Sequence, residues 1–545
     1  MKIILIQPPI QDFYDTKIRL QPLGLAYLKA SINKFHSEVE VKIKDYHAGF
    51  KRQTISYPKE LSYLKDYYKY PDKSHFSSFY QYYHFGASFE FIATDIESEK
   101  PDLVAISSSF SPYYKEVLKC AEVIKSKLNV PIVLGGSHAS SMPEMMLENK
   151  NIDFIIIGEG ERPIVELIKA LTENRDIAQV PSLVFKQEDK IIYNKLQENY
   201  DINKLAIPDF NDLNPQNYLY DGKPLSFIIT SRGCPFKCSF CSINKVFGKN
   251  YRRRNNESII EEMLLRYETG IRVFDFEDDN LSFHKTEFSK LCKLIISTFT
   301  RKDIQLLAMN GISYQLLDKE ILGLMKEAGF THLNISLVSC DLSTQDKTKR
   351  SLDLKKYESV VKEAFLLGLK TVSYQILGLP NESLETMIDT LIYQSQNPVL
   401  IGSSMYYQTP GSHLSGGIEK SSLSDVYKSR LTTMAIETDL FKREDIYTLF
   451  IITRIINFIK SLETDQKEIS IQKALNLLEN KDLRSKTSVE ILNLLLSGKG
   501  FFAYTKEGQK IQNKFDNNLF LKIWMQLSYI KTQKGIIILK NSIIS

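Results

Sequence analysis

Cysteine is scarce in this 545-residue sequence: there are six, three of them within one eight-residue stretch, while Cys120, Cys292 and Cys340 stand alone. A secreted disulfide framework needs more, and more evenly placed, cysteines, so that class is excluded and a reducing compartment with a metal site is expected. Strong charge of either sign is missing too. Seventy basic residues face 65 acidic ones, a net +5, which leaves no general nucleic-acid footprint, and no nucleic acid is expected as a partner. Long hydrophobic runs are also absent. The first residues, MKIILIQPP, are a strand-length run stopped by Gln-Pro-Pro rather than a signal peptide. The most apolar stretch elsewhere, TLFIITRIINFI at 448–459, is broken by Arg454 and too short for a bilayer. No membrane span is expected, and a cytoplasmic location follows. With 43% hydrophobic and 25% charged residues the chain reads as a globular protein of two or three domains.

What is present is alternation. From 1 to about 190, β-branched runs such as KIILIQ, DLVAISSS, PIVLGG and DFIIIGEGE alternate with helical stretches such as LGLAYLKASINKF and YKEVLKCAEVIKSKL. This is the pattern of an α/β domain with a doubly wound, Rossmann-like parallel sheet. Its strands run into small residues: Ser107, Ser108 and Ser109, then Gly135 and Gly136, then Gly158, Glu159 and Gly160. In such a sheet a ligand sits at the carboxyl ends of the strands, where small residues let the backbone approach it. An aromatic insertion at 50–86, with Tyr57, Tyr63, Tyr67, Tyr68, Tyr70, Tyr80, Tyr82 and Tyr83, interrupts the pattern. Its rings either pack on one another or cover a substrate, and packing is the simpler reading. Residues 191–222, rich in Asn, Asp, Pro and Tyr, are expected to be a linker. About six strand-helix repeats between 223 and 425 predict a partial (β/α)6 barrel, and 426–545 is expected to be a mostly helical C-terminal domain.

The chemistry concentrates in SRGCPFKCSFC, where Cys234, Cys238 and Cys241 follow directly on the strand FIIT. Three thiolates on one tight loop at the carboxyl end of a barrel strand suit a 4Fe-4S cluster with one iron left open. A structural zinc site would show a fourth Cys or His nearby, and His284 is more than forty residues downstream.

This triplet, with Phe240 before its last cysteine, resembles the signature of the radical S-adenosylmethionine superfamily. The resemblance implies that adenosylmethionine chelates the open iron and is cleaved to a 5′-deoxyadenosyl radical by an electron from an external one-electron reductant such as a flavodoxin or ferredoxin. It further implies that Glu277, Asp278 and Asp279 hold the methionine ammonium through charge-assisted hydrogen bonds. Asn310, Ser336, Gln375 and Gly378 stand where the superfamily contacts ribose and adenine, Gly378 permitting close backbone approach. One departure is evident: where relatives often carry Gly-x-Glu-Ser, this chain reads Ser336-Leu337-Val338-Ser339.

The first domain resembles the cobalamin-binding half of the cobalamin-dependent branch of these enzymes. The likeness rests on QPPI with Pro9, QPLGLAYL with Pro22, Leu23 and Gly24, GGSHAS with Gly135, Gly136 and His138, and IIIGEGE. A lower-ligand Asp-x-His-x-x-Gly motif is only approximated by Asp45-Tyr46-His47-Ala48-Gly49, so cobalamin is expected without a protein nitrogen on cobalt. Among Tyr251, Arg252, Arg253 and Arg254, one arginine is expected to reach a cofactor carboxylate or a corrin side chain unless the run is a solvated loop. The family likeness implies C-methylation, through methylcobalamin and the deoxyadenosyl radical, of an unactivated carbon in a peptide or small natural product. Alternatives are a cobalamin-dependent cyclisation or rearrangement and, from another class, a corrinoid-binding sensor or carrier. A methylthiotransferase needs three further cysteines in the first domain, where only Cys120 occurs.

Overall fold

The computed structural model describes the chain except residues 15–19, 70–72, 198–199, 416–421, 465, 501, 505–509, 513 and 540–545, and except the side chains of 415, 502–504 and 510–512. Tyr70 of the aromatic insertion therefore lies outside the described residues.

The alternating first segment folds into one seven-stranded sheet. Its strands are β1 (Lys2–Gln7), β2 (Glu40–Asp45), β3 (Leu103–Ser107), β4 (Ile132–Gly135), β5 (Phe154–Ile156), β6 (Leu183–Gln187) and β7 (Lys190–Tyr193), in the order β7-β6-β5-β4-β3-β1-β2. The first five are parallel and the last two join antiparallel. The parallel part is a doubly wound sheet whose strand order reverses beside β1, which puts its crevice at the carboxyl ends of β1 and β3. Helix α1 (Leu23–Phe35) buries Leu23, Ala26, Tyr27 and Ala30, spaced by three and four, on one face of that sheet.

Six further parallel strands make the partial barrel: β8 (Lys223–Ile228), β9 (Val273–Phe276), β10 (Gln305–Leu307), β11 (His332–Val338), β12 (Lys370–Leu377) and β13 (Leu400–Met405). The ladders β8-β9-β10 and β11-β12-β13 are joined by parallel bridges Leu306 to Phe330 and Ile312 to Ile335. A six-stranded arc has two open edges, and unpaired strand edges demand cover. The start of β8 pairs antiparallel with the short strand Leu219–Tyr220, and one amide side chain caps each edge beyond that. At β8, Gln21 accepts from the Phe227 N–H at 2.7 Å and donates to the Leu225 carbonyl at 3.4 Å. At β13, Asn457 of helix α2 (Arg443–Lys460) accepts from the Ile401 N–H at 2.9 Å and donates to its carbonyl at 2.8 Å.

The C-terminal region is mostly helical, with a small three-stranded sheet of Glu468–Ser470, Ile536–Ile538 and Tyr529–Lys531. It shares a hydrophobic core with the first domain and with the aromatic insertion. The insertion's rings pack on one another, Tyr68 on Phe79 (centroids 5.5 Å) and Tyr57 on Tyr82 (6.4 Å), and also dock on the C-terminal region: the Tyr68 hydroxyl donates to the Thr432 carbonyl at 2.6 Å and that of Tyr63 to the Thr433 carbonyl at 2.7 Å. Arg430, also buried, donates to the carbonyls of Gln11 (2.7 Å) and Pro112 (2.8 Å). No helix among the described residues is long and apolar enough to cross a membrane.

Glu116 lies buried close to this junction, and burial pushes its carboxyl from 4.5 up to about 7. The folded protein keeps that proton up to about pH 7 while the unfolded chain loses it near 4.5, so stability falls as pH rises through this window. Glu116→Gln removes the linkage. Its stability gain over the native protein is expected to grow from nothing below pH 4.5 to about 3 kcal/mol at pH 8, read as a widening gap between the two thermal midpoints.

Candidate active site

The loop 233–251 leaves the barrel after β8 and is clasped at its base by a short antiparallel ladder, Ser231 to Arg253 and Arg232 to Arg252. Gly233 has φ +84, and a Cβ there would stand 2.4 Å from the Asn250 carbonyl, so only glycine closes the clasp. Within the loop Cys234 is buried, Cys238 half-buried and Cys241 exposed. Asn280 Nδ2 lies 3.9 Å from Cys234 Sγ, and Arg350 Nη1 lies 3.5 Å from Cys238 Sγ. Burial, reinforced by Cys238 and Asp279, pushes the Cys241 thiol up to about 11 although its surface is open.

Among the described residues no three His, Cys, Asp or Glu side chains gather around a point that would hold one metal ion. Three thiols backed by two hydrogen-bond donors fit a polynuclear iron-sulfur cluster, whose ligand sulfurs are tuned by such bonds.

The acidic run after β9 divides its labour. Glu277 is half-buried and faces a large cavity. Asp278 turns inward: it accepts from the Thr230 N–H (3.1 Å) and hydroxyl (2.6 Å) and from the Ser231 hydroxyl, holding the turn that launches the loop. It is 2% exposed, and burial raises its carboxyl. Asp278, one of the three carboxylates expected at the methionine ammonium, thus bonds the protein's own backbone and hydroxyls. Asp279 accepts from the Gly233 N–H at 3.0 Å, and burial pushes it up to about 7.

The cavity, about 520 Å³, opens between the carboxyl ends of the first sheet and the barrel. From the first domain it is lined by Pro22, Leu23 and Gly24, by Ser107 and Ser109, and by Gly135, Gly136, Gly158, Glu159 and Gly160. Ala105, Val133 and Ile156 give it depth into the sheet, and from the barrel side Phe247, Arg232, Glu277 and Asn310 face it. The glycines keep it open. A Cβ on Gly24 meets nothing within 4 Å, whereas one on Gly136, at φ +108, would stand 2.8 Å from the Ser108 carbonyl. A roomy, small-residue crevice at the switch point fits cobalamin. Gly24→Phe, in the first turn of α1, is expected to fold normally and to raise the dissociation constant of cobalamin by at least about tenfold, followed by absorbance titration.

Several of the residues expected at the cofactors have other partners within the protein. His138 is 1% exposed, its Nδ1 lies 3.1 Å from Ser111 Oγ, and burial lowers it to about 4. The helix starting at Ser137 rotates it into the domain interior, away from the cavity. Ser108 is likewise interior, its carbonyl accepting from the His138 and Ala139 N–H groups. Pro9 packs against Gly86, at φ +127. Gln375 sits on the outward-pointing register of β12 with Thr371 and Ser373, and its Nε2 donates to the Met387 carbonyl at 2.8 Å. The close approach at Gly378 comes from Ile446 and Phe441 of the C-terminal region. The Ser336 carbonyl accepts from Arg350 Nη2 at 3.0 Å. At the departing Ser336-Leu337-Val338 segment the ladder shifts register and Val338 takes φ +72, rare for a β-branched residue. Phe240 packs against a small cluster of Val338, Leu379 and Tyr406.

None of the three arginines after Tyr251 reaches the cavity. Arg252 pairs with Glu159 (2.7 Å), Arg253 bonds Asn256 Oδ1 (2.7 Å) and Arg254 pairs with Glu262 (2.6 Å). The arginine that does face it is Arg232, within the signature itself. Its guanidinium spans Glu159 (2.7 Å) and Glu161 (2.5 Å) of the GEGE turn and lies over the rings of Tyr27 and Phe247. Arg232, Glu161, Asn280 and Arg350 escaped the sequence reading because a partner 71 residues away, as Glu161 is from Arg232, leaves no local signal.

Residues 228–393 match the sequence model of the Radical SAM superfamily, and residues 80–168 that of the B12 binding domain. The chain belongs to the cobalamin-dependent radical S-adenosylmethionine enzymes. Its cofactors are a 4Fe-4S cluster, S-adenosylmethionine and cobalamin. An uncharacterized methyltransferase of Pyrococcus horikoshii is 29% identical over 72% of this chain and 77% of its own length. The anaerobic magnesium-protoporphyrin IX monomethyl ester cyclase of Cereibacter sphaeroides is 31% identical over 59% of this chain, which spans 54% of that protein. In fold, the chain resembles the radical S-adenosylmethionine methyltransferase TsrM from Kitasatospora setae, solved with cobalamin and a 4Fe-4S cluster bound. The TM-score is 0.59 at 18% identity, covering 76% of this chain and 77% of that one.

Proposed function

We propose that this enzyme places a methyl group on an unactivated carbon of a peptide or small natural product. The observation that carries the reading is the shared wall: the signature residue Arg232, the acidic run's Glu277 and the small-residue turns of the first domain all face one cavity. When bound, the cluster and adenosylmethionine supply the radical that removes a substrate hydrogen, and cobalamin carries the methyl group that replaces it. The protein's part is placement. Cys234, Cys238 and Cys241 hold the cluster, Glu277 receives the methionine ammonium, and Gly24, Gly135 and Gly136 leave room for the corrin. The reductant is an external one-electron carrier of the flavodoxin or ferredoxin type, and the setting is the cytoplasm.

The cyclase relative favours ring formation without net methyl transfer as the second reading. The two separate in one experiment. Holoenzyme is incubated anaerobically with a reductant, methyl-deuterated adenosylmethionine and a peptide and metabolite extract. Methylation yields a species carrying one trideuteromethyl group, with deoxyadenosine and adenosylhomocysteine in equal amounts. An unlabelled product that has lost hydrogen selects cyclisation, and turnover indifferent to omitting cobalamin contradicts both.

A further inference from the structure

A second cavity, of about 550 Å³, adjoins the first between the loop after β2, linker residues 216–219 and the edge of β8. Leu20, Gln21 and Phe227 belong to the walls of both. The two spaces thus meet where the Gln21 amide closes the barrel edge.

The loop after β2 is shaped by Asp45-Tyr46-His47-Ala48-Gly49. Asp45 accepts from the N–H groups of His47 (2.8 Å) and Ala48 (3.0 Å) and from the linker hydroxyl of Tyr218. Gly49, at φ +85, lies so near the linker that a Cβ would stand 2.7 Å from Asn217 Nδ2. The run is therefore a wall-building turn, and His47 lines this second cavity rather than the cofactor cavity.

The cavity is polarised. Leu225 and Phe227 are buried, Phe227 on the shared wall; Phe50 and Phe85 also line the cavity, with His47, Gln216 and Asn217 as its polar wall, and Lys51 and Arg52 stand exposed. The Arg52 guanidinium is steadied 4.2 Å from the Tyr83 ring centroid. An apolar bed leading from two cations to the wall of the reaction cavity matches an apolar body with one anionic head.

We propose that this second cavity binds the substrate, and that the substrate is an amphipathic acid, its carboxylate or phosphate held by Lys51 and Arg52 and its apolar body directed to the wall at Phe227. Calling the ligand the substrate rests on the proposed methyl transfer; the ligand chemistry does not. Binding is measured without turnover, by titrating holoenzyme calorimetrically with octanoate, octyl phosphate, octanol and octylammonium. Both acids are expected to bind saturably, one per chain, with octanol and octylammonium weaker by at least about tenfold; the tighter of the two acids identifies the head group. Lys51→Glu/Arg52→Glu is expected to weaken the acids by at least about tenfold with bound cobalamin and iron content unchanged. Arg52 Nη1 also donates to the Tyr14 carbonyl at 3.4 Å, so Lys51→Glu alone serves as the milder variant, with a smaller loss in the same direction. Equal affinity for octanol and the acids, or unchanged affinity in both variants, overturns the assignment. A failed binding test leaves methyl transfer standing, and a failed methyl transfer leaves the cavity's ligand chemistry standing.

Discussion

Cys241→Ala is expected to abolish adenosylmethionine cleavage, a fall of at least about 10³-fold, or about 4 kcal/mol in barrier terms, while cobalamin binding stays at the native level. Cys241 is the exposed member of the triplet, so its truncation removes little packing. Among the described residues no group of three His, Cys, Asp or Glu side chains is arranged to hold a metal in its place. A cluster left with two protein thiolates is not retained on the loop. The expected protein lacks iron and the brown absorbance of the reconstituted cluster, forms no deoxyadenosine, and still titrates with cobalamin, because the cavity's small-residue walls come from the first domain. Iron content, absorbance and deoxyadenosine formation check the first half, and cobalamin titration the second.

Arg232→Met is expected to cost about 3–5 kcal/mol of stability near neutral pH. Arg232 and Glu161 are both under 10% exposed, and Arg232 gives Glu161 its only ion pair among the described residues, whereas Glu159 keeps Arg252. Burial works to raise the Glu161 carboxyl, yet the Arg232 charge and hydrogen bond hold it below its ordinary value of 4.5. Without the arginine, burial prevails and the carboxyl takes up a proton. The sign follows: the stability that this depressed carboxyl confers is present above pH 4.5 and fades as pH falls below it, so the deficit of Arg232→Met shrinks in acid. Adding Glu161→Gln should recover part of the loss, since a neutral amide leaves no buried charge unpaired. Because Gly233 and Cys234 follow Arg232 directly, cluster content should fall with the single variant and return in part with the double one. Urea midpoints at two pH values and iron analysis measure both effects.

The architecture was legible because it is written in local periodicity. Strand runs ending in Ser107, Gly135 and Gly158 announced a sheet with a ligand at its carboxyl ends, and all three residues line the cavity. The cysteine spacing was local as well. Which way a side chain points is not written locally. Gln375 lies in β12 and Gly378 just beyond its end, but a period of two decides facing, and Gln375 falls on the outward register against Met387. His138 stands one residue inside a helix that turns it inward. Arg252, Arg253 and Arg254 read as a free basic run because their partners Glu159, Asn256 and Glu262 are set by tertiary packing. The aromatic insertion was ambiguous for the same reason: Tyr63 and Tyr68 find their partners some 370 residues away, at Thr433 and Thr432.

The central claim is that the cluster loop and the cobalamin domain face one cavity. Electron paramagnetic resonance on holoenzyme carrying cob(II)alamin tests it directly. Reducing the cluster by one electron should broaden or split the cob(II)alamin signal through dipolar coupling, and the coupling should vanish in Cys241→Ala. Two independent signals, unchanged on reducing the cluster, would contradict a shared cavity.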